Sequence, residues 1–223
     1  MNRESGKTEI FDTILFDLDG TIIDSAPGVI KSFIHSLDYY GIKYDPNDFN
    51  RVIGPPLEDS FIDFFGFTEE NVAEPVAKYR EYYTVHGIFD CTVYDGVEKL
   101  IANLCSRGKK MLVASSKPTV FVKRILEHNG LAKYFAYMVG SELDGSIKEK
   151  ADVVNAALNL AGCRTDADKK KVLMVGDRFY DVVGAHAMGI KVAAVGWGYG
   201  SEKELADAEF YAKTPEMLDK LIK

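Results

Sequence analysis

The stretch Ile14-Leu15-Phe16-Asp17-Leu18-Asp19-Gly20-Thr21 decides the fold, because three apolar residues in it run directly into two carboxylates. A short apolar run that is ended by a glycine predicts a strand buried on both faces. Alternate residues of an extended segment lie on the same side, so Asp17 and Asp19 can both reach the carboxyl end of this strand. Open α/β sheets bind their ligands at that edge. The stretch therefore predicts a functional site where the first strand ends.

The two carboxylates point to a bound cation. Two acidic groups this close need a positive partner to stay ionised together, and a hard divalent cation is the usual one in proteins. The spacing does not fit an EF-hand loop, which requires a further Asp or Asn before its glycine and a Glu later. On this stretch alone, an Asp-rich turn without a chemical role also stays open.

Composition and charge exclude several classes of protein. The 223 residues are 47% hydrophobic and 27% charged, which is ordinary for a soluble globular protein of one large or two modest domains. The net charge of −7 argues against a nucleic-acid partner. The three cysteines form no CxxC pair, so we expect neither disulfides nor zinc, and a cytoplasmic setting. We expect no membrane partner and no signal peptide, since apolar runs of the required length and position are missing from the sequence.

The chain changes character after the first strand. From residue 24 to about residue 90 the apolar residues follow the helical period, as Val29, Phe33 and Leu37 do. From about Cys91 onward, strand and helix patterns alternate, which is typical of a parallel sheet covered by helices. The first strand needs this sheet as its partner. The sequence therefore predicts an α/β core of residues 1–23 and 91–223, interrupted by a helical domain of residues 24–90; the strands predicted after the insertion are residues 111–115, 137–139, 172–175 and 192–195.

Polar residues follow two more of the predicted strands. The stretch Gly176-Asp177-Arg178-Phe179-Tyr180-Asp181 places two carboxylates four residues apart, across a turn into a helix. Ser115 and Ser116 end another strand, where hydroxyl and amide groups ahead of a helix suit an anion. Taken singly, Asp181 is as well explained as a helix cap, and the two serines are better explained as an ordinary turn.

A lysine completes the set. Lys148 and Lys150 lie just before the helix predicted from residue 151, although lysines are common on any surface. Acidic pairs at two strand ends, an anion-binding strand end and a lysine together indicate a magnesium-dependent phosphoryl-transfer site.

These motifs, in this order and spacing, resemble the four motifs of the haloacid dehalogenase-like hydrolases. Further stretches resemble the phosphoglycolate phosphatase-like branch of that family, and a helical insert after the first motif resembles its cap domain. The resemblance covers essentially the whole chain and implies a Rossmann-like parallel core with a helical cap. The branch-like stretches are Val93-Tyr94-Asp95-Gly96-Val97, Ser116-Lys117-Pro118 and Gly196-Trp197-Gly198-Tyr199-Gly200-Ser201.

The resemblance also implies the chemistry. Asp17 is expected to attack phosphorus and form an aspartyl-phosphate, and Asp19 to act as the acid and then the base. Ser115 and the lysine are expected to stabilise the transferring phosphoryl group. We favour Lys150 over Lys148, because the residues from Lys150 to Val154 resemble the branch's Lys-x-Asp-Val-Ile pattern. The ligands expected for Mg²⁺ are Asp17, the backbone carbonyl of Asp19, Asp177 and Asp181.

Candidate substrate-binding residues come from both parts of the chain. Thr21 and Ser116 belong to the core motifs. Arg51, Gly54 and Pro55 belong to a glycine-containing segment that helps to select the substrate in this branch, although an ordinary Pro-rich helix entry explains them equally well.

The second aspartate of the first motif narrows the reaction. Dehalogenases of this family lack it because a leaving halide needs no proton, whereas a leaving alkoxide does. We therefore expect a phosphatase for a small phosphorylated metabolite such as phosphoglycolate, a nucleotide or a sugar phosphate, acting as a monomer or homodimer. The alternatives are a β-phosphoglucomutase-like mutase, a nucleotidase with a different leaving group, and a catalytically silent module that binds a phosphorylated ligand. The intact Asp17 and Asp19 argue against the silent module.

Overall fold

A computed structural model describes residues 9–223 of the chain. The strands in this range are β1 (Thr13–Phe16), β2 (Ile23–Asp24), β3 (Thr92–Val93), β4 (Lys110–Pro118), β5 (Tyr137–Ser141), β6 (Val172–Gly176), β7 (Lys191–Val195) and β8 (Phe210–Ala212). Six of them form one parallel sheet in the order β5-β4-β1-β6-β7-β8. The predicted α/β class with a parallel sheet is confirmed.

The first strand lies inside this sheet because it has no face for solvent. All four residues of β1 and all five of β6 are buried. In the register, Phe16 of β1 is the partner of Val113 in β4 and of Val175 in β6. A strand with both faces covered by helices favours apolar side chains on both faces, which explains the continuous run Ile14-Leu15-Phe16. Burying each large aliphatic or aromatic side chain contributes about 1.5–3 kcal/mol.

Helices cover the sheet and make up most of the insertion. The α-helices within residues 9–223 are α1 (Ala26–Tyr39), α2 (Leu57–Phe65), α3 (Ala73–Tyr83), α4 (Val97–Ser106), α5 (Thr119–His128), α6 (Lys150–Ala161), α7 (Asp166–Lys169), α8 (Phe179–Ala187) and α9 (Pro215–Leu221). Val153 of α6 and Val182 of α8 share one core cluster with Leu15 of β1 and Met174 of β6. None of the helices in this part of the chain is both long enough and apolar enough to span a bilayer.

The chain divides into two compact units. The first, the α/β unit, comprises the described residues up to Ile23 together with Val93–Lys223, and the second, the helical unit, is Asp24–Thr92. The core of the helical unit is aromatic, with the ring centroid of Phe33 4.8 Å from that of Phe61 and 5.0 Å from that of Tyr79. The hydroxyls of Ser32, Ser36 and Ser60 bond to backbone carbonyls, as Ser36 Oγ does to Pro75 O at 2.8 Å.

Several local features differ from the sequence prediction. The short elements α7, β8 and α9 were not predicted, because segments of four, three and seven residues carry little periodic pattern. The strand predicted to end at Ser115 continues to Pro118.

Candidate active site

Two neighbouring strands of the sheet bring three carboxylates together. Asp17 follows β1 directly, Asp177 follows β6 directly, and Asp181 lies in the first turn of α8. The parallel register aligns the two strand ends, and Asp17 N donates to Val175 O at 2.8 Å. All three residues are buried, and one carboxylate oxygen of each lies within 4.8 Å of the others. We call Asp17, Asp177 and Asp181 the acidic cluster.

Lys150, the first residue of α6, places its ammonium inside this cluster. Its Nζ lies 2.9 Å from Asp17 Oδ1 and 2.6 Å from Asp181 Oδ1, and 5% of its side chain is exposed. Burial opposes the charged form, but the two carboxylates outweigh that cost and hold the pKa of Lys150 above its ordinary value. The two carboxylates therefore favour the charged form of this side chain. Lys148 is exposed, so Lys150 is the lysine that the fold brings to the acidic cluster.

One ammonium does not compensate three buried carboxylates. Burial, together with the negative charges of Asp181 and Asp17, raises the pKa of Asp177 well above its ordinary value. Burial raises the pKa of Asp181 to about 6, against the opposing charge of Lys150. Within residues 9–223, Asp17 Oδ1 and Asp181 Oδ1 accept no hydrogen bond of good geometry, although both are within ion-pair distance of Lys150. An excess of negative charge and oxygens without hydrogen bonds fit a hard divalent cation such as Mg²⁺.

Two hydrogen bonds hold the Asp177 carboxylate in place. It accepts hydrogen bonds from Thr21 Oγ1 at 3.1 Å and from Tyr199 N at 2.8 Å. Gly20 makes this approach possible: its φ is +77°, and a Cβ there would lie 2.2 Å from Asp177 Oδ2. Thr21 is 1% exposed, and its hydroxyl donates to Asp177. Its contact with substrate stays a prediction.

Asp19 lies close to a second lysine. Its Oδ2 is 3.0 Å from Lys117 Nζ, and the two side chains are 18% and 9% exposed. The Asp19 carboxylate is not a member of the acidic cluster, which agrees with a role for its side chain other than metal binding. Sequence reasoning did not identify Lys117 as a site residue. The stretch Ser116-Lys117-Pro118 could have indicated it, but in the sequence it was interpreted only as a feature of the family branch.

The two serines predicted to bind phosphate lie on β4, beside β1. Ser115 is 2% exposed, and its Oγ accepts from Lys117 N at 3.3 Å. The backbone carbonyl of Ser116 accepts from Ser141 Oγ of β5 at 2.8 Å. Ser115 therefore lies at the same edge of the sheet as Asp17. The contact of both serines with phosphate stays a prediction.

The remaining predicted substrate residues belong to the helical unit. Arg51 is exposed, forms an ion pair with Asp48, and lies over the Phe64 ring at 4.8 Å from the centroid. Gly54 and Pro55 are half-buried in the segment before α2, with a φ of +110° at Gly54. Their predicted part in substrate selection stays a prediction.

Residues 14–195 match the family model of the haloacid dehalogenase-like hydrolases. The chain belongs to this family. The family predicted from the motif residues is therefore confirmed. The matched range includes both aspartates of the first motif, Lys150 and the whole acidic cluster.

Individual relatives carry several activities in their names. A 5'-nucleotidase from Pseudomonas aeruginosa is 38% identical over 198 residues, which cover 87% of each chain. The tyrosine-protein kinase PtkA from Mycobacterium bovis is 36% identical over 213 residues, covering 95% of this chain and 69% of that protein. A predicted phosphatase from Clostridium acetobutylicum superposes with a TM-score of 0.88 at 40% identity, covering 95% of this chain and 97% of its own. A predicted phosphoglycolate phosphatase from Haemophilus somnus, 23% identical over 97% of this chain and 99% of its own, shares the fold with a TM-score of 0.82.

Proposed function

We propose that this protein is a Mg²⁺-dependent phosphatase that hydrolyses a small phosphomonoester through an aspartyl-phosphate on Asp17. The observation that carries the proposal is the buried acidic cluster around Lys150, with Asp19 held separately by Lys117. Membership of the hydrolase family and the phosphatase and nucleotidase names of similar proteins support the same class of enzyme. The cytoplasmic setting and the monomeric or dimeric state stay predictions.

Asp17 is the proposed nucleophile. Its Oδ1 lies 2.9 Å from Lys150 Nζ, so the ammonium can stay beside the carboxylate while the carboxylate attacks phosphorus. Lys150 compensates the charge of the resting carboxylate and then that of the transferring phosphoryl group. Asp17, Asp177, Asp181 and the backbone carbonyl of Asp19 would hold Mg²⁺. When bound, the ion supplies positive charge that neutralises the phosphoryl oxygens.

Asp19 is the proposed general acid and base. It protonates the leaving alkoxide while Asp17 forms the bond to phosphorus, and then takes a proton from the water that hydrolyses the aspartyl-phosphate. Such a residue needs a carboxylate near the nucleophile but outside the metal ligands, and the position of the Asp19 side chain, outside the acidic cluster, supports this role. Ser115 and Ser116 would donate to the phosphoryl oxygens. Thr21 would add a substrate contact besides the hydrogen bond that it gives to Asp177.

The helical unit is the proposed cap domain. In this proposal it excludes water during the first step, as the family resemblance implies, and Arg51, Gly54 and Pro55 help to select the substrate.

Phosphate release from a panel of phosphate esters, with pyrophosphate beside them, tests the function. The panel contains p-nitrophenyl phosphate, phosphoglycolate, pyrophosphate, nucleoside 5'-monophosphates and hexose phosphates, each with Mg²⁺ and with EDTA. We expect Mg²⁺-dependent release from at least one compound, and the ranking of kcat/KM identifies the substrate class. No release from any of them by folded protein in Mg²⁺ would contradict the proposal, and interconversion of hexose phosphates without release would favour a mutase.

A further inference from the structure

The loop that follows β7 packs directly against the acidic cluster. Trp197 Nε1 donates to Thr21 O at 3.0 Å, and Tyr199 N donates to Asp177 Oδ2 at 2.8 Å. At Gly200, a Cβ would lie 1.9 Å from the backbone carbonyl oxygen of Asp177, so a side chain there would displace one of the two segments. This loop is therefore fitted to residues 177–181, which we call the acidic turn.

Glu204, further along the same segment, holds the middle of the acidic turn. Its Oε1 accepts from Arg178 Nε at 2.8 Å and from Phe179 N at 2.8 Å. The Arg178 and Glu204 side chains are 17% and 24% exposed. The two donors belong to consecutive residues between Asp177 and Asp181. One carboxylate oxygen therefore fixes both the side chain and the backbone that separate two members of the acidic cluster.

The charge of Glu204 suits this position. Burial works against the carboxylate, but its hydrogen bonds from Arg178 and from the Phe179 amide outweigh burial and lower its pKa. A negative charge at the N-terminus of α8 is also favoured by the helix dipole. Arg178 in turn gains a partner that neutralises its guanidinium beside the acidic cluster.

We propose that Glu204 is a positioning residue for the cation site: by holding Arg178 and the Phe179 amide, it sets the spacing of Asp177 and Asp181 and thereby the affinity for Mg²⁺. The inference rests on the proposed function in one respect, which is that the acidic cluster binds a cation. It does not depend on which substrate the protein hydrolyses. Residues that hold metal ligands in place without touching the metal typically change affinity by about 10–100-fold when they are replaced.

The test compares Glu204→Gln with Glu202→Gln. Gln keeps the size of the side chain but loses the charge that pairs with Arg178. Glu202 is the matched control because it lies in the same segment, is 70% exposed, and is 3.6 Å from Lys213. The readouts are the Mn²⁺ dissociation constant of the substrate-free protein, measured by electron paramagnetic resonance, and thermal unfolding in EDTA. The Mg²⁺ concentration that gives half-maximal phosphate release is measured beside them.

We expect Glu204→Gln to bind Mn²⁺ at least about tenfold more weakly and to need correspondingly more Mg²⁺, with kcat restored by saturating Mg²⁺. Glu202→Gln is expected to match the wild type in all readouts. Arg178→Lys provides a second variant if Glu204→Gln does not fold. It is expected to weaken Mn²⁺ binding in the same direction, because a lysine lacks the Nε donor.

Unchanged Mn²⁺ affinity in Glu204→Gln, or in Arg178→Lys where only that variant folds, would overturn the inference. A lower unfolding temperature in EDTA without a change in affinity would do the same, because it would leave Glu204 a purely structural role. Equal weakening by Glu202→Gln, or a wild type that binds no Mn²⁺, would also overturn it. A wild type that releases no phosphate while Glu204→Gln selectively weakens Mn²⁺ binding would contradict the proposed function and leave the positioning role supported.

Discussion

The two units of the chain bury different kinds of polar groups. In the part of the α/β unit that the structure describes, four charged side chains are buried, which are Asp17, Lys150, Asp177 and Asp181. Among the described residues of the helical unit, the buried polar side chains are the hydroxyls of Ser25, Ser32, Ser36 and Ser60, set beside a core rich in aromatic rings.

The difference indicates that the α/β unit carries the chemistry, whereas the interior of the helical unit serves packing. Burying a carboxylate costs free energy unless an opposite charge or hydrogen bonds compensate it, and a single ammonium does not compensate three. Such clusters are typical of functional sites, where the free energy that they cost is recovered by binding a ligand. A hydroxyl bonded to a carbonyl carries little such cost. The contrast therefore predicts that charge changes in the α/β unit affect chemistry, and that volume changes in the helical unit affect stability.

Replacing Asp19 by Asn should produce a large loss of activity that depends on the leaving group of the ester. Loss of a general acid slows a reaction by about 10²–10⁴-fold when the leaving group needs a proton. We expect this loss in kcat with an alkyl phosphate, and a much smaller one with p-nitrophenyl phosphate, whose leaving group departs without protonation. Steady-state kinetics with both esters measure the difference. The control is Asp12→Asn, an exposed residue 3.3 Å from Lys171, which should behave as wild type. Equal losses with both esters would contradict the acid role.

Replacing Phe61 by Ala should test the packed unit. Phe61 is fully buried among Phe33, Phe65 and Tyr79, so truncation leaves a cavity and lowers the free energy of unfolding by about 3–5 kcal/mol. Urea unfolding measures the change, and Val85→Ala, at a side chain 60% exposed, should stay within about 0.5 kcal/mol of wild type. Mn²⁺ affinity should be unchanged. A loss of cation affinity in Phe61→Ala would show that the acidic cluster depends on the aromatic core. That result would contradict the claim that volume changes in the helical unit affect stability alone.

Replacing Asp177 by Asn should have the smallest of these effects. It should raise the free energy of unfolding without Mg²⁺ and lower it with Mg²⁺, relative to wild type. In EDTA the variant loses one buried negative charge, while its amide oxygen can still accept from Tyr199 N and its amide nitrogen can donate to Thr21 Oγ1. We expect the metal-free protein to gain about 1 kcal/mol in the free energy of unfolding. Mg²⁺ at about 100 times its Kd should add about 2.7 kcal/mol to the wild type, and this gain should be lost in the variant. Thermal unfolding with and without Mg²⁺ measures both. A variant that is less stable than wild type in EDTA would contradict the charge argument.

Much of the fold could be predicted from the sequence because its signals are local. The run Ile14-Leu15-Phe16 in β1 leaves neither face of the strand polar, which is typical of a central position in a sheet. The change from helical to alternating periodicity near Cys91 marks a change of architecture. The three residues of β8 had no comparable signal. Their place depends on parallel pairing with β7, which is a tertiary interaction.

The sequence predicted which residues form the site better than it predicted which of them contact each other. Asp17, Asp177 and Asp181 could be named because each stands at a predicted strand end or helix start, whereas the choice of Lys150 over Lys148 needed the pattern of the family branch. The pairing of Asp19 with Lys117 could not, since it depends on where a long flexible side chain turns at the end of β4. The contact of Thr21 with Asp177 joins residues 156 positions apart and has no local pattern.

The most direct test of the account is the rate of phosphate release by Asp17→Asn, compared with wild type, on the best ester of the panel at saturating Mg²⁺. Circular dichroism shows whether the variant is folded. Asn keeps the shape of the side chain but cannot form the acyl phosphate, so we predict a loss in kcat on the order of 10⁴-fold or more, with the fold retained. A folded Asp17→Asn variant that retains a tenth or more of the wild-type rate would contradict the claim that the acidic cluster acts through Asp17.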